Sequence, residues 1–325
     1  MAACHAMPKR LKRSRRSERA QKRRNQLAQK PDFSRQKRLT VDQPKVFSML
    51  IIRPSSLDTW NDCQGRWAVT NLPSLKKKVS GKQAFIGQLF GTAAHKAIAS
   101  TLAAKAEGSS LSLDVALQIG KKELNDQVSN SLDGVKFDTT TKSLETAREQ
   151  LERVIRESFY SYVPGCNPLF VEQHWIIDFK DYPFLRLSMQ PDVIAESFGL
   201  PQVDDHKFPR VVGNYSGQGG GYMKGYEAVS GERLRRFSLQ VIKRVSLGSP
   251  PAELQEIIYS RDQCLDSFDQ AIKGIGQKAD AWRADKDKKI FDYNPNSKYC
   301  TQETCPAFGG DWCNRWIDTK KEKKN

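Results

Sequence analysis

The amino-acid sequence predicts an α/β protein in which a helical first half leads into a group of short strands. Between residues 85 and 162, apolar side chains recur at the spacing of an α-helix. From residue 169 to residue 208, runs rich in Val, Ile, Leu and Phe are separated by the turn sequences Asp-Tyr-Pro and Phe-Gly-Leu-Pro. A chain of 325 residues with 38% hydrophobic residues is long enough to bury a sizeable core.

The helices of the first half are placed by their caps and periodicity. Ser55 or Ser56 can cap the first helix, which is expected to carry Cys63. The second helix is rich in small residues, and its Gly91 and His95 are four residues apart and therefore share a face. We expect the later helices of this half at residues 85–106, 112–128 and 141–162.

The second half is predicted to begin with a three-stranded meander, formed by residues 169–179, 184–197 and 201–208. The Gly- and Tyr-rich residues 211–228 predict a flexible loop. The chain is then expected to form a helix at 231–247, a strand at 253–260 and a polar helix at 264–286. The last segment is irregular and aromatic, with little besides its cysteines to hold it together.

The net charge of +16 is concentrated at the N-terminus, where residues 1–45 hold 15 Lys and Arg against three acidic residues, a net +12. This tail has few large apolar residues, so it is predicted to be disordered, ahead of a single domain at 46–325. It is either a non-specific phosphate-binding arm or a solvated tail from a start codon placed too far upstream. A nuclear or mitochondrial address is also compatible with PKRLKRSRR.

No apolar run of 18 residues and no secretory signal pattern occurs, which predicts an intracellular protein. A reducing compartment keeps thiols free, so the seven cysteines are not expected to form structural disulfides. Clustered cysteines then indicate metal binding. Three others lack partners at useful spacing and are expected to be ordinary thiols: Cys4, Cys166 and Cys264.

Acidic residues recur on the predicted strands. Glu172 lies at the start of the first strand, Asp192 toward the end of the second and Asp205 at the end of the third. If these strands are neighbours in a sheet, the carboxylates converge on one point. Converging carboxylates repel one another, and a divalent cation removes that cost. Oxygen ligands of this kind suit Mg²⁺ or Mn²⁺.

A lysine accompanies the third carboxylate. Asp205 and Lys207 are two residues apart on a strand and therefore share a face, whereas Asp204 and His206 point away. Lys207 is positioned either to orient an attacking water or to hold a phosphate as a point charge. The sequence therefore predicts a metal-dependent site for phosphodiester chemistry.

The spacing of Pro191-Asp192 and Asp205-His206-Lys207 resembles the motif of the PD-(D/E)XK nuclease superfamily. Further features resemble its RecB-like exonuclease branch, in which a G-x-x-x-H element brings a histidine to the metal site and a Q-x-x-x-Y element follows the catalytic strand. The resemblance covers about residues 55–315. It implies a restriction-endonuclease-like α/β core, with a mixed central sheet flanked by helices.

The resemblance extends to further residues. Gly91 and His95 match the first element, which implies that His95 binds the metal; a hydrogen-bonded core histidine is the structural alternative. Gln240 is assigned to the second element and hence to catalysis, although Arg244 stands where the tyrosine is expected, and a surface glutamine is the alternative. Glu172 matches an acidic residue common in the family and is either a metal ligand or a solvent-facing edge residue.

The cysteine order is similar to that of RecB-like nucleases with an iron–sulfur cluster, which have one cysteine before the nuclease core and three after it. The matching residues are Cys63, Cys300, Cys305 and Cys313. The resemblance implies a [4Fe-4S] cluster. Four thiolates also suit a structural Zn²⁺, and buried thiols are a third reading.

The activity implied is a Mg²⁺- or Mn²⁺-dependent DNA exonuclease of repair, recombination or phage replication, in the cytoplasm or nucleoid of a bacterium or phage-infected cell. Two alternatives are a non-catalytic DNA-binding module and a zinc-stabilised nucleic-acid adaptor. No ATP-binding P-loop is present, so a separate helicase or recombination protein is an expected partner. Either a DNA-binding surface or a solvated loop and helix face is formed by the residues that could stack on bases or hold phosphates: Tyr215, Tyr222, Lys224, Tyr226, Arg233, Arg235 and Arg236.

Overall fold

The computed structural model describes residues 49–72, 83–285, 290–301, 305–308 and 313. The predicted N-terminal tail lies outside these residues. The described α-helices are α1 (Pro54–Asp62), α2 (Gln64–Asn71), α3 (Ile86–Ala106), α4 (Leu113–Ser129), α5 (Leu144–Glu157), α6 (Ser216–Ser230) and α7 (Arg261–Asp285). The described strands are β1 (Leu50–Ile52), β2 (Ala84–Phe85), β3 (Val135–Lys136), β4 (Pro168–Val171), β5 (Trp175–Asp178), β6 (Leu185–Met189), β7 (Val193–Ser197), β8 (Leu200–Lys207), β9 (Phe237–Val241) and β10 (Gln255–Tyr259).

The largest sheet is mixed and has the strand order β10-β9-β8-β7-β4. Strands β7 and β8 form an antiparallel hairpin, whereas β8 and β9 are parallel and are joined through α6. A second sheet has the order β1-β6-β5, and β2 pairs with β3. Mixed sheets combined with helices confirm the predicted α/β fold class.

The chain between β4 and β7 forms one antiparallel ribbon that passes from the large sheet into the second sheet. Val171 pairs with Val193 in the large sheet, and Trp175 pairs with Met189 in the second. The break contains three residues on each side, 172–174 and 190–192, so the two parts share one register. Within the break, the Glu172 backbone N–H donates to the Asp192 carbonyl oxygen over 3.0 Å.

This ribbon corrects the predicted three-stranded meander. The runs 169–179 and 184–197 each form two strands rather than one, and the two strands of each run belong to different sheets. Pro191, which has no N–H to donate, lies in the break. Glu172 has a positive φ of 47°, in the left-handed region that a non-glycine residue seldom adopts. Both features stop regular pairing at this point.

The Gly- and Tyr-rich segment is a helix, and the predicted loop at 211–228 is wrong. α6 packs against α7, and a Cβ added at Gly220 would overlap the backbone carbonyl of Cys264. On its other flank, a Cβ at Gly225 would overlap the Met189 sulfur. The glycines therefore provide close approach rather than flexibility.

Two further elements differ from prediction. Residues 231–247 contain β9 rather than a helix, because Phe237–Val241 is buried on both faces between β8 and β10. The first helix is interrupted at Cys63, whose extended backbone (φ −155°, ψ 107°) separates α1 from α2. α1 begins after Arg53, with Pro54 at its first position, and Ser56 bonds back to the Arg53 carbonyl instead of capping the helix.

The remaining predicted elements are confirmed within one or a few residues: α3, α4, α5, β10 and α7. The last turn of the predicted 141–162 helix is a π-helix, Ser158–Tyr162. α7 was predicted to be polar, but one face is buried, with Phe268, Ala271 and Ile275 in the core.

Two main apolar clusters stabilise the fold. One joins α3, α4 and α5 to the large sheet, and the other joins α1, α2 and α7 to the second sheet. All described residues belong to one compact unit, Ser48–Asn325. Among the described helices, none combines the length and the apolar character needed to cross a bilayer.

Candidate active site and cysteine cavity

Asp192 lies near Asp205 at the end of the β7–β8 hairpin that is away from its turn. The last pair of this hairpin joins Val193 to Asp204, and continuing the same register by one residue on each side brings Asp192 opposite Asp205. Directly opposite residues of an antiparallel pair project to the same face, with Cβ atoms about 5 Å apart. The break in the ribbon and the end of β8 thereby bring two carboxylates together from residues that are 13 positions apart.

The Asp192 carboxylate is held by two histidines. Its Oδ2 accepts a 2.7 Å hydrogen bond from the His206 backbone N–H and lies 3.1 Å from His95 Nδ1 on α3. Burial would raise the pKa of Asp192, but the His95 charge and hydrogen bonds from the side chains of His206 and His95 hold it well below its usual value. Burial likewise opposes protonation of His95, yet the Asp192 charge outweighs it and raises the His95 pKa.

Asp205 and Lys207 form an ion pair on the same face of β8. Burial, together with the Asp192 charge, raises the pKa of Asp205 although the Lys207 ammonium opposes the shift. Burial would lower the pKa of Lys207, but the charges of Asp205 and Asp192 outweigh it and raise the pKa. Lys207 is therefore a cation at neutral pH. Asp204 points to the opposite face, where it accepts hydrogen bonds from Tyr162 and Gln202.

Helix α6 contributes two residues that contact Asp205. Gln218 Nε2 donates to Asp205 Oδ1 over 2.8 Å and also lies 2.9 Å from the Tyr222 hydroxyl, which in turn lies 3.4 Å from the same carboxylate oxygen. The sequence Gln218-Gly-Gly-Gly-Tyr222 has the Q-x-x-x-Y pattern. Gln218 is not among the predicted site residues, because the glycines around it indicate a loop, although its Q-x-x-x-Y pattern is visible in the sequence.

Gln240 lies elsewhere. It is on β9 in register with His206, on the face opposite Asp205, and its Nε2 donates to Ser238 Oγ over 2.8 Å. The prediction that Gln240 follows β8 on a helix is wrong. Its proposed Q-x-x-x-Y partner position, Arg244, is buried and forms a 2.6 Å ion pair with Asp138.

Glu172 adjoins the site through the ribbon break. It is half-buried, and burial followed by the Asp192 charge raises the pKa of its carboxyl. Glu172 directly follows β4, whereas it was predicted at the start of a strand. This position still brings the Glu172 side chain near Asp192.

The predicted DNA-contacting residues are dispersed. Tyr222 is buried with its hydroxyl directed to Asp205, so its ring is not open to a base. Lys224 pairs with Asp269 at 3.1 Å, and Arg236 contacts Gln202 and Glu256. Arg235 is exposed and lies over the Phe198 ring at 5.6 Å. Tyr215 lies beside the site with Lys207 Nζ 5.2 Å from its ring centroid.

Asp58 on α1 is an additional acid near the site that was not among the predicted site residues. Its Oδ1 accepts a 3.1 Å hydrogen bond from the Gly217 N–H at the start of α6, whereas its buried Oδ2 has no hydrogen-bond partner among the described residues. Burial raises the pKa of Asp58 to about 7, although the Gly217 hydrogen bond and the Lys207 charge oppose the shift.

The four predicted cluster cysteines line one cavity formed by α2 and the C-terminal segment. Burial raises the pKa of the Cys305 thiol, and in the same wall burial and the nearby cysteines raise the pKa of the Tyr293 hydroxyl. The lining cysteines are Cys63, Cys300, Cys305 and Cys313. In the described part of the chain, no three His, Cys, Asp or Glu side chains are already arranged as a metal-binding group.

No family model matches the chain, and no curated protein matches it. A crystal structure named "Putative exonuclease" from Eubacterium rectale, at 2.19 Å resolution, is similar with a TM-score of 0.46 and 11% sequence identity. The match covers 77% of this chain and 86% of that chain. At this identity and TM-score the likeness is coarse, and it carries no conclusion about activity.

Proposed function

We propose that this protein is a divalent-metal-dependent DNA nuclease whose active site is built on Asp192, Asp205 and Lys207. The observation that carries the proposal is the β7–β8 register, which sets Asp192 across from Asp205 while Asp205 and Lys207 share a face. The buried carboxylate of Asp205 and the largely buried carboxylate of Asp192, beside one ammonium, are costly as packing and useful for binding a cation and a phosphate.

The donor atoms suit Mg²⁺ or Mn²⁺. Mg²⁺ keeps several waters and is commonly bound through only one or two carboxylates together with substrate phosphates. Asp192 and Asp205 would supply the carboxylates, and His95 and Glu172 adjoin them. A bound divalent ion would lower the pKa of a water and stabilise charge on the phosphodiester. This chemistry does not require the three-residue group that the described residues lack.

Lys207 acts as a cation rather than as a base in this proposal. Its raised pKa keeps the amine protonated, so it cannot take a proton from an attacking water at neutral pH. It can instead hold a non-bridging phosphate oxygen and stabilise the charge that grows there. Gln218 and Tyr222 orient the Asp205 carboxylate, and His95 orients Asp192.

The finer assignment is an exonuclease that acts on DNA ends or single strands in repair, recombination or phage replication, alongside a separate helicase or recombination protein. It is supported by the motif resemblance of residues 191–207 and by the Gln218–Tyr222 pattern on α6. We also propose that the four cavity cysteines bind a [4Fe-4S] cluster, with Zn²⁺ as the alternative. The convergence of four thiols from residues 63 to 313 on one cavity supports a thiolate-bound centre.

The decisive experiment measures cutting of single- and double-stranded DNA with Mg²⁺, with Mn²⁺ and with a chelator. Asp205→Asn should reduce cutting by at least about 10³-fold, since it removes a carboxylate charge that the cation needs. Asp204→Asn is the matched control: it is adjacent, equally buried and on the opposite face, and should keep most of the activity. DNA binding without any metal-dependent cutting would identify a binding module instead and contradict the proposal.

A further inference from the structure

The first turn of helix α6 is capped by a side chain from another helix. The first N–H groups of an α-helix have no acceptor within the helix and need one from elsewhere. Tyr215, which directly precedes α6, makes no side-chain cap. The Ser216 N–H donates to Asn214 Oδ1 over 3.0 Å, and the Gly217 N–H donates to Asp58 Oδ1 over 3.1 Å. Asp58 on α1 therefore supplies the acceptor that an Asp or Ser usually supplies from the capped helix itself.

The Gln218 N–H is the second group directed at the Asp58 carboxyl. Burial raises the pKa of Asp58 to about 7, but hydrogen bonds from the backbone N–H groups of Gly217 and Gln218 oppose this shift. The following N–H, that of Gly219, is already bound within the helix, because it donates to the Tyr215 carbonyl over 3.0 Å. Asp58 thus serves the two N–H groups that directly precede the first hydrogen bond of the helix.

Close packing of α1 against α6 makes this cap possible. A Cβ added at Gly217 would meet Asp58 Oδ1 at 3.1 Å and Leu57 Cβ at 3.2 Å, and one added at Gly221 would meet Pro54 Cβ at 3.0 Å. The two glycines therefore let α1 approach within hydrogen-bond reach of the α6 backbone. The second carboxyl oxygen of Asp58 is buried and has no hydrogen-bond partner among the described residues. An unpaired buried oxygen costs stability, so packing alone does not explain an acid at this position.

Gln218 connects the cap to the candidate active site. Its backbone N–H bonds to Asp58, and its side-chain Nε2 donates to Asp205 Oδ1 over 2.8 Å. One residue therefore contacts carboxyl groups from both α1 and β8. The same Asp205 oxygen receives the longer 3.4 Å contact from Tyr222, which is also on α6. A shift of the first turn of α6 would consequently move the amide that holds Asp205.

We infer that Asp58 is a positioning residue of the proposed active site, because it fixes the start of α6 and thereby the Gln218 amide that orients Asp205. This inference rests on the proposed nuclease function and adds α1 to the elements that shape its metal site. The role requires an oxygen that accepts hydrogen bonds rather than a charge. A carboxylate, a protonated carboxyl and an amide each have such an oxygen.

The test measures Mn²⁺ binding to the full chain, without DNA, by electron paramagnetic resonance of the free ion. Asp58→Ala removes the acceptor, so the Kd for Mn²⁺ should rise about tenfold, as is typical when a group that orients a metal ligand is lost. Asp58→Asn keeps an oxygen at the same place, and its Kd should rise less than about threefold. The Mn²⁺ concentration for half-maximal DNA cutting should follow the same order. Asp58→Leu, which fills the space without an acceptor, is the second test variant.

A double variant separates positioning from a general loss of stability. If Asp58 acts through Gln218, Asp58→Ala should change the Mn²⁺ Kd of the Gln218→Ala protein by less than about twofold, because the amide to be positioned is gone. The matched control is Asp269→Ala, which also removes an acid of a neighbouring helix that contacts α6, but at Lys224. It should bind Mn²⁺ as the unmodified protein does. Thermal unfolding verifies that each variant is folded.

Three outcomes overturn the inference: unchanged Mn²⁺ binding in the variants without an acceptor, equal weakening in Asp58→Asn, and losses that multiply in the double variant. Mn²⁺ binding is measured without DNA, so the two proposals fail separately. If the variants bind Mn²⁺ in the expected order but the protein cuts no DNA, the nuclease is wrong and the role of Asp58 stands. If the protein cuts DNA and Asp58→Ala binds Mn²⁺ normally, only the role of Asp58 is wrong. A protein that binds no Mn²⁺ contradicts both.

Discussion

Gln218 donates a 2.8 Å hydrogen bond to the Asp205 carboxylate and thereby connects helix α6 to the end of strand β8. Among the described residues, Gln218→Ala leaves that oxygen with the longer contact to Tyr222, so the carboxylate is held less firmly although its other oxygen still pairs with Lys207. We expect cutting to fall about 10- to 100-fold and the Mg²⁺ concentration for half activity to rise. Steady-state rates at several metal concentrations measure both.

Gln240→Ala is the control for that variant, because it changes the same residue type at a buried site on the opposite face of the sheet. Its activity should remain within a few-fold of that of the unmodified protein. The reverse result, with Gln240 essential and Gln218 dispensable, would contradict the site described above.

The raised pKa of Asp58 predicts that the free energy of unfolding falls as the pH rises. The unfolded carboxyl loses its proton near pH 4, but the folded one keeps it until about pH 7. Between these values the folded state binds more protons, so the free energy of unfolding decreases as pH rises and levels off above pH 7. The neutral side chain of Asp58→Asn should remove this decrease.

Denaturant unfolding at pH 5 and pH 8 checks that prediction. The two proteins should be similarly stable at pH 5, and Asp58→Asn should be more stable at pH 8 by on the order of 2 kcal/mol. Titratable groups that contribute to the Asp58 environment are Lys207, Asp205, Tyr215, Tyr259 and Cys264. An equal difference at both pH values would show that Asp58 does not titrate as described.

The Arg244–Asp138 ion pair predicts a pH dependence opposite to that of Asp58. Its contribution to the free energy of unfolding should weaken as the pH falls. Both side chains are buried. Burial alone would raise the pKa of Asp138, but the hydrogen bond from Arg244 opposes this effect and the pKa is lowered. Arg244→Met should cost about 3 kcal/mol at pH 7, since it leaves a buried carboxylate without its counter-ion. The loss should shrink as pH falls below about 4, because the carboxyl then takes up a proton.

The exposed pair of Arg148 and Glu145 supplies the comparison for Arg244. Arg148→Met breaks a 2.9 Å ion pair at the surface and should cost less than about 1 kcal/mol. Asp138→Asn combined with Arg244→Met should recover part of the loss. Equal losses in the buried and exposed variants would rule out the buried ion pair as the cause.

The cysteine cavity predicts a bound metal centre. Protein purified without oxygen should be brown and contain iron and acid-labile sulfide, and Cys305→Ala should lose both together with thermal stability, because metal binding contributes to folding. Cys264→Ala, a buried cysteine outside that cavity, should keep the iron. A colourless protein with stoichiometric zinc would replace the cluster with a structural zinc site.

Local periodicity predicted those parts of the site that depend on one strand. Asp205 and Lys207 were placed on one face because side chains alternate along β8, and the structure agrees. The helices α3, α4 and α5 were also found, since their apolar stripes are long and regular. No such rule locates Asp58, whose importance comes only from the packing of α1 against α6.

Composition misled the prediction where tertiary contacts decide structure. The glycines of α6 indicate a loop in isolation, but they form a helix because α7 and the ribbon leave no room for side chains there. Residues 231–247 contain enough spaced apolar residues to resemble a helix, whereas burial between β8 and β10 makes Phe237–Val241 a strand. The error over Gln240 followed from this second misassignment.

The two sides of the ribbon break are equally long, and this equality limits the insertions and deletions that the chain can tolerate there. Deleting or inserting one codon within residues 172–174 or 190–192 would shift the pairing on one side by one residue and turn the following side chains to the wrong face. The turn at residues 198–199 joins β7 to β8, and no segment of matching length lies opposite it. Length variation among related genes should therefore accumulate at that turn and be absent from the break.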